Sequence, residues 1–292
     1  MTMTTPHTPA SQTQAGKGQP APYRHGHAKL GLGCSQLGLD QPSSMPRGRP
    51  PEREAADALQ IAARADLKIL DAQVQFGRAE TLIGNLMPRP NPFRTILRCV
   101  RPDRGPDHVE DELRQALRRL RLDKADTVMV QTAGDLFSPQ GPAMWDRLRQ
   151  LRDEGLFQRL GVSVFASDDP VALTRRFKPD VIQAPVSLLD QRLIVSGALA
   201  EIAGLGVEVH LRSIFLQGLL FLPPDRMPVA LRGASGPLSR PEARHVIVGV
   251  ASAAELQAVI AAAASAPPDL DWDEMALEHP EALVGGGDGW AA

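Results

Sequence analysis

A closed (β/α)8 barrel, the TIM-barrel form of α/β fold, is the architecture this sequence predicts, with a shortened or missing seventh helix and disordered tails. Three observations lead there. Between residues 29 and 284, eight short apolar runs of strand length alternate with amphipathic stretches of helical period. Strand–helix–strand repetition implies parallel strands joined by right-handed crossovers, which close into a barrel; an open doubly wound sheet is the alternative. The 292 residues suit one barrel and are long for one sandwich.

In chain order, the first strand is expected at Lys29–Gly33, where Leu30 and Leu32 alternate with glycine. Helix Glu52–Ala65, strand Lys68–Asp71 and helix Arg78–Met87 follow. Strand Phe93–Arg98 precedes helix His108–Leu120, whose Leu113, Leu117 and Leu120 recur at helical spacing, away from Arg114, Arg118 and Arg121. Strand Asp126–Gln131, helix Pro142–Glu154 and strand Leu160–Val164 come next. Asp168-Asp169-Pro170 marks the start of helix Pro170–Phe177, with Asp at the cap and Pro in the first turn. Strand Asp180–Gln183, helix Arg192–Leu205 and strand Val207–Leu211 follow. Residues 222–244 are rich in Pro, Gly and Arg and lack a 3.6-residue pattern, hence the weak seventh helix. Strand His245–Gly249 and helix Ala253–Ala264 complete the set.

Composition narrows the function classes. Residues 1–28, full of Thr, Gln, Pro and His with no apolar core region, are expected to be a disordered tail rather than a secretory signal. Residues 285–292 form a flexible glycine-rich tail, leaving 29–284 as the folded unit. No run approaches the roughly 18 apolar residues of a membrane span. A net charge of −2 argues against a dominant nucleic-acid or anionic-membrane partner. Cys34 and Cys99 are too few for a disulfide framework, which favours a reducing cytoplasm. There is 1 tyrosine, Tyr23, and it precedes the first strand.

Several motifs fail. Gly31 to Gly38 lacks the third-glycine spacing of a dinucleotide loop and the Lys-Ser/Thr of a phosphate loop, so it is expected to be a strand-to-loop turn. No Cys or His pair has zinc-like spacing, so no metal site is expected. A Gly-x-Ser-x-Gly elbow is missing as well. Lys17, Lys29, Lys68, Lys124 and Lys178 all fall in the tail, at strand starts or in loops feeding strands, away from a barrel's catalytic end. The strand ends offer Cys34, Asp71, Arg98, Gln131, Ser163, Gln183, Arg212 and Ser213, with His210 one layer lower. Such a mouth suits a polar or anionic ligand.

At these residues the sequence resembles the aldo-keto reductase superfamily over roughly residues 29–265. Lys29–Gly38 resembles its opening strand, and Leu70–Glu80 with Leu82-Ile83-Gly84 resembles its Asp-x-x-x-x-Tyr-Gly signature. Leu160–Ser163, Val181–Gln183, Arg212–Leu220 and Val246–Val250 resemble its later strand and cofactor segments. The resemblance implies a reductase tetrad of Asp, Tyr, Lys and His. Asp71 keeps its place, while Phe76 stands for the tyrosine, Arg98 for the lysine and Gln131 for the histidine; Asp71 and Arg98 are then expected to form an ion pair that preserves architecture without tuning a phenol.

For the cofactor, the resemblance implies that Ser163 and Gln183 contact the nicotinamide amide and that Arg212 lies against its ring. Ser213, Phe215, Leu216, Gln217 and Gly218 would line the pyrophosphate, and Gly249, Ala251 and Ser252 would meet the adenosine end. Gly249–Leu256 contains no Lys or Arg for a 2′-phosphate, which favours NAD(H) over NADP(H). Intact cofactor segments beside a degenerate tetrad are similar to bacterial reductase homologues that act as regulators. The resemblance implies the division protein FtsZ as partner, and an AAA+ protease reading Ala291-Ala292. The alternatives are an oxidoreductase working through Cys34, Cys99 or His210, and a barrel binding a metabolite without nucleotide.

Overall fold

Each apolar run pairs in parallel with the next, and the eighth returns to the first, in a computed structural model that describes residues 26–38, 51–73, 78–216, 240–265 and 272–280. The strands are β1 (Leu30–Gly33), β2 (Ile69–Gln73), β3 (Arg94–Arg98), β4 (Ala125–Val130), β5 (Phe157–Ser163), β6 (Val181–Pro185), β7 (Glu208–Arg212) and β8 (Ala243–Gly249). Closure runs from Leu30 opposite Val246 to Gly33 opposite Gly249, which rules out the open sheet.

The described helices are α1 (Ser35–Gly38), α2 (Glu52–Arg64), α3 (Arg78–Leu86), α4 (Pro106–Leu120), α5 (Ala133–Phe137), α6 (Gly141–Asp153), α7 (Pro170–Phe177), α8 (Arg192–Val195), α9 (Ala198–Gly204) and α10 (Ala253–Ala264). Helix α4 buries Val109, Leu113, Ala116, Leu117 and Leu120, the stripe its leucine spacing predicts. Asp169 caps α7 as expected, its carboxylate accepting from the Ala172 N–H at 3.2 Å.

Three elements depart from the sequence expectation. The helix expected at Arg192–Leu205 is two, because Gly197 takes a φ of +75° between α8 and α9. Strand β5 starts at Phe157 rather than Leu160: Arg159, polar enough to suggest a loop, belongs to the strand and pairs with carboxylates on β4 and β7. His245, expected to open β8, is its third residue. The expected seventh helix falls mostly on residues 217–239, and the expected tails mostly on 1–25 and 281–292; all of these lie outside the described residues.

Inside the barrel, Ile69, Ile96, Met129, Val181 and Ile247 form a separate apolar cluster. Glycine makes room for it. A Cβ on Gly31 would lie 2.6 Å from Ile247 Cδ1, and one on Gly161 would lie 2.7 Å from Met129 Sδ. The first glycines of the Gly31–Gly38 run therefore serve packing within β1.

At the N-terminal ends of the strands sits a charged floor. Arg94 donates to Asp126 and Glu208, both at 3.2 Å. Arg159 donates to Glu208 at 2.7 Å and also to Asp126. His210 Nε2 lies 2.8 Å from Glu208 Oε1, and the His245 ring stands edge-on to His210 at 5.1 Å. Burial alone would raise the Glu208 pKa, but the His210 hydrogen bond and surrounding positive charge outweigh it and bring it to about 2. Burial, reinforced by repulsion from His210, lowers His245 to about 3.

The pH consequence follows from linkage. In the unfolded chain His245 takes up a proton near its ordinary value of 6.5, whereas in the folded barrel it waits until about 3. Stability is therefore fully present above the unfolded value and is lost as pH falls between them. Glu208 adds a second loss below its ordinary 4.5. Acidification from about pH 7 to about pH 5 is expected to remove on the order of 1–2 kcal/mol through His245. Thermal unfolding of His245→Gln at the two pH values should show a visibly smaller drop than the wild type; equal drops would contradict this assignment.

Candidate active site at the barrel mouth

At the opposite ends of the strands, β2, β3 and β6 bring three polar side chains into one buried knot. Register does this: Asp71 lies opposite Ile96 on β3, so Arg98 stands one inward-facing position higher and reaches back across. Arg98 donates from Nε to Asp71 Oδ1 at 3.3 Å and from Nη2 to Asp71 Oδ2 at 3.0 Å. Gln183 donates to Asp71 Oδ2 at 2.9 Å and accepts from Arg98. All three are buried, at 3%, 5% and 0% exposure, so none of these charges is satisfied by bulk water. Two-point carboxylate–guanidinium pairing is what makes a buried pair tolerable.

Beside the knot, Arg212 at the end of β7 stacks over Phe165, its guanidinium carbon 4.8 Å from the ring centroid. It donates to Ser213 Oγ at 3.1 Å and to the Val164 carbonyl at 3.0 Å. Its Nε is buried with no protein partner. Burial, and then the Arg98 charge, lower its pKa to about 9, so it stays cationic at neutral pH. Phe165 carries no motif in the sequence; it reaches Arg212 because it follows β5, which is separated from β7 only by β6.

The chain then leaves β7 through a strained turn. Ser213 and Leu216, neither a glycine, take φ values of +60° and +46°, and the Leu216 N–H donates to the Ser213 carbonyl at 3.0 Å. Strain of this kind concentrates at ligand sites. Leu216 packs with Leu188 and Leu189, against which Trp272 and Met275 also lie. Phe215 is half-buried against the main core. Gln217 and Gly218 fall outside the described residues, as does Phe76.

On the far side, β8 ends at Gly249, where an added Cβ would lie 2.3 Å from Gln36 Oε1. Ser252 caps α10, accepting from the Glu255 N–H at 3.1 Å, while the Ala251 N–H donates to Glu255 at 2.8 Å. Ser252-x-x-Glu255 is a capping-box spacing visible in the sequence. The Ala253 N–H donates at 2.9 Å to Glu54, which arrives from α2. Two carboxylates thus occupy the dipole-positive end of α10.

Of the other expected mouth residues, Ser163 is buried at the end of β5 opposite Gln183. Gln131 follows β4 half-buried, and its side-chain carbonyl oxygen is without a partner. Cys34 is a correction. Gly31 and Gly33 face inward, so by strand alternation Cys34 faces outward, and it lies in the core beneath the helices. Cys99 is in the same core, its thiol pushed up to about 12 by burial and by Asp135; burial and Asp71 raise the Cys34 thiol as well. Neither is a nucleophile at the mouth. His210 turns toward Glu208, away from this end.

The sequence reading also overlooked the grouping of Glu208, His210 and His245, whose ligand atoms all lie within 4.8 Å of one another. Adjacent strands β7 and β8 create it, which no short spacing reveals. Two arginines already pair with Glu208, so its charge is neutralised and a cation there would meet their repulsion.

The knot makes a stability prediction. Asp71→Asn leaves the Arg98 charge buried and uncompensated, and is expected to cost about 3–5 kcal/mol in urea unfolding. Replacing both partners, as Asp71→Leu with Arg98→Met, is expected to cost less than the sum of the two single changes. Additive losses would contradict a coupled pair.

The comparisons with known proteins agree with the barrel fold. No curated protein matches the chain. Among solved structures, an aldo-keto reductase from Pseudomonas aeruginosa is similar at 23% identity, covering 81% of this chain and 89% of its own, with a TM-score of 0.65. The aldo-keto reductase AKR11C1 from Bacillus halodurans, in its holo form, matches at 19% identity over 87% and 91%, with a TM-score of 0.67. Glycerol dehydrogenase AKR11B4 from Gluconobacter oxydans matches at 16% identity over 89% and 94%, with a TM-score of 0.64. At these identities the likeness is one of fold. The family model for the aldo/keto reductase family matches residues 29–227, and the chain belongs to that family.

Proposed function

We propose that this chain is an NAD(H)-binding aldo-keto reductase homologue without a working reductase tetrad, which couples nucleotide state to bacterial cell division through protein partners. The observation that carries the proposal is the buried knot. Arg98, in the place of the family's lysine, commits two-point hydrogen bonding to Asp71 and is held by Gln183 as well. A guanidinium stays charged and is a poor proton donor. Phe76, in the tyrosine's place, has no proton to give, and Gln131 replaces an imidazole with an amide. General acid catalysis, worth about 10²–10⁴-fold, is thereby lost.

Cofactor binding is supported by different residues. The unpartnered Arg212 Nε, its guanidinium over the Phe165 ring, and the strained Ser213–Leu216 turn suit a polar ligand with phosphates. At α10, Glu54 and Glu255 place carboxylates where the family seats the adenosine ribose. A carboxylate accepts from a ribose 2′-hydroxyl and repels a 2′-phosphate. Once bound, a nicotinamide supplies a hydride; the chain's own part is to hold and orient the nucleotide, with no acid ready to protonate a substrate oxygen. Ligand-biased conformation can then be read by a partner.

The combination resembles KidO, a bacterial reductase homologue that binds NAD(H) and antagonises FtsZ. FtsZ is accordingly the proposed partner, and Ala291-Ala292 the proposed mark for an AAA+ protease. An oxidoreductase with non-standard catalytic groups is the second reading, and the outward burial of Cys34 and Cys99 speaks against its thiol form.

Titration by nicotinamide fluorescence tests the reading. NADH is expected to bind at least about tenfold more tightly than NADPH, and Glu54→Arg is expected to narrow that gap. Purified FtsZ should be retained differently by the chain with and without NADH. Equal affinity for the two nucleotides would refute the role given to Glu54 and Glu255, and retention insensitive to NADH would refute the coupling.

A further inference from the structure

Away from the mouth, α5, α6 and α7 bring together three aromatic rings and two arginines. Phe137, the last residue of α5, packs edge-to-face on Phe177 at 5.5 Å, and Phe177 does the same on Trp145 at 5.8 Å. Phe177 and Trp145 are buried, but Phe137 is 54% exposed. Arg176 lies over both phenylalanine rings, 5.1 Å from each centroid, and Arg149 lies 5.8 Å over Trp145.

Neighbouring Arg175 pairs with Glu201 at 2.5 Å, and Arg152 pairs with Asp153 at 3.6 Å. Arg176 is exposed and makes no ion pair among the described residues, while Arg149 has only Asp146, at 3.8 Å. Ala133 and Leu136 anchor α5 in the core, and Phe137 after them meets Phe177 at an edge while leaving 54% of its surface exposed.

Stacking over a ring fixes a guanidinium's plane while leaving its in-plane N–H donors free for a carboxylate. Aromatic rings beside ordered arginines, with one ring open to solvent, have the composition of an interface hot spot. We infer that the Phe137–Arg176–Arg149 face is a docking surface for an acidic peptide segment of a partner protein, one carrying an aromatic or branched aliphatic side chain next to its carboxylates. The apolar side chain covers Phe137, and the carboxylates pair with Arg176 and Arg149. The inference concerns a surface separate from the nucleotide site and stands or falls without it.

The test uses the nucleotide-free full chain and two labelled hexapeptides, Glu-Asp-Phe-Asp-Leu-Glu and its charge-inverted counterpart Lys-Arg-Phe-Lys-Leu-Arg, read by fluorescence anisotropy. The acidic peptide is expected to bind and the basic one not. Phe137→Ser and Arg176→Glu should each weaken binding at least about tenfold. Circular dichroism and NADH titration of both variants should stay as in the wild type, which separates lost docking from lost folding. Failure of the acidic peptide to bind, equal binding of both peptides, or affinity untouched by either variant would overturn the inference. So would a wild-type dimer that Phe137→Ser converts to monomer in sedimentation, since the face would then belong to a second copy of the chain.

Discussion

A carboxylate and a guanidinium buried together must satisfy each other, because water is no longer there to do it. In this barrel that constraint falls on Asp71 and Arg98, with Gln183 filling the remaining hydrogen-bond positions. The three side chains come from β2, β3 and β6, so the pair can form only if strand register is correct around that part of the barrel. The same fit gives the mouth its chemical character. A lysine in Arg98's position would have a mobile ammonium able to tune a neighbouring phenol; the guanidinium is held in place and its charge is already met.

The interior repeats this logic at its other end. Arg94, Arg159, Asp126 and Glu208 neutralise one another at the floor, with His210 and a neutral His245 against them. Within the barrel the apolar cluster of Ile69, Ile96, Met129, Val181 and Ile247 accompanies these charges. The floor gathers two histidines among arginines and carboxylates, whereas the mouth holds a paired Asp71–Arg98 and the Arg212 cation, so the two ends differ in electrostatic character.

Much of the fold was legible in the sequence because burial imposes period. The leucines of α4 and the alternating Leu30 and Leu32 of β1 declare their buried faces through spacing alone, in β1 the face that lies under the helices. Asp71, Arg98 and Gln183 were legible as strand-end polar residues, and Asp71 with Arg98 as an ion pair, though the hydrogen bonds of Gln183 to both were not. Less could be read where tertiary contact overrides local pattern. Arg159 looks like loop because its charge is met by residues on other strands, and the α8–α9 break depends on one glycine's positive φ. Cys34 was misplaced by a single position of strand alternation. Glu54 lies 199 residues from the Ala253 N–H it accepts from, a distance no motif spans.

The central claim is that this barrel holds a nicotinamide nucleotide without reducing carbonyls, because the tetrad positions cannot supply a proton. The direct measurement is consumption of bound NADH, followed by dihydronicotinamide absorbance, with aldehydes and quinones offered to the wild type and to the triple variant Phe76→Tyr, Arg98→Lys, Gln131→His. The account predicts binding but no turnover in the wild type and measurable turnover in the variant. Turnover by the wild type at a rate matching or exceeding the variant would contradict it.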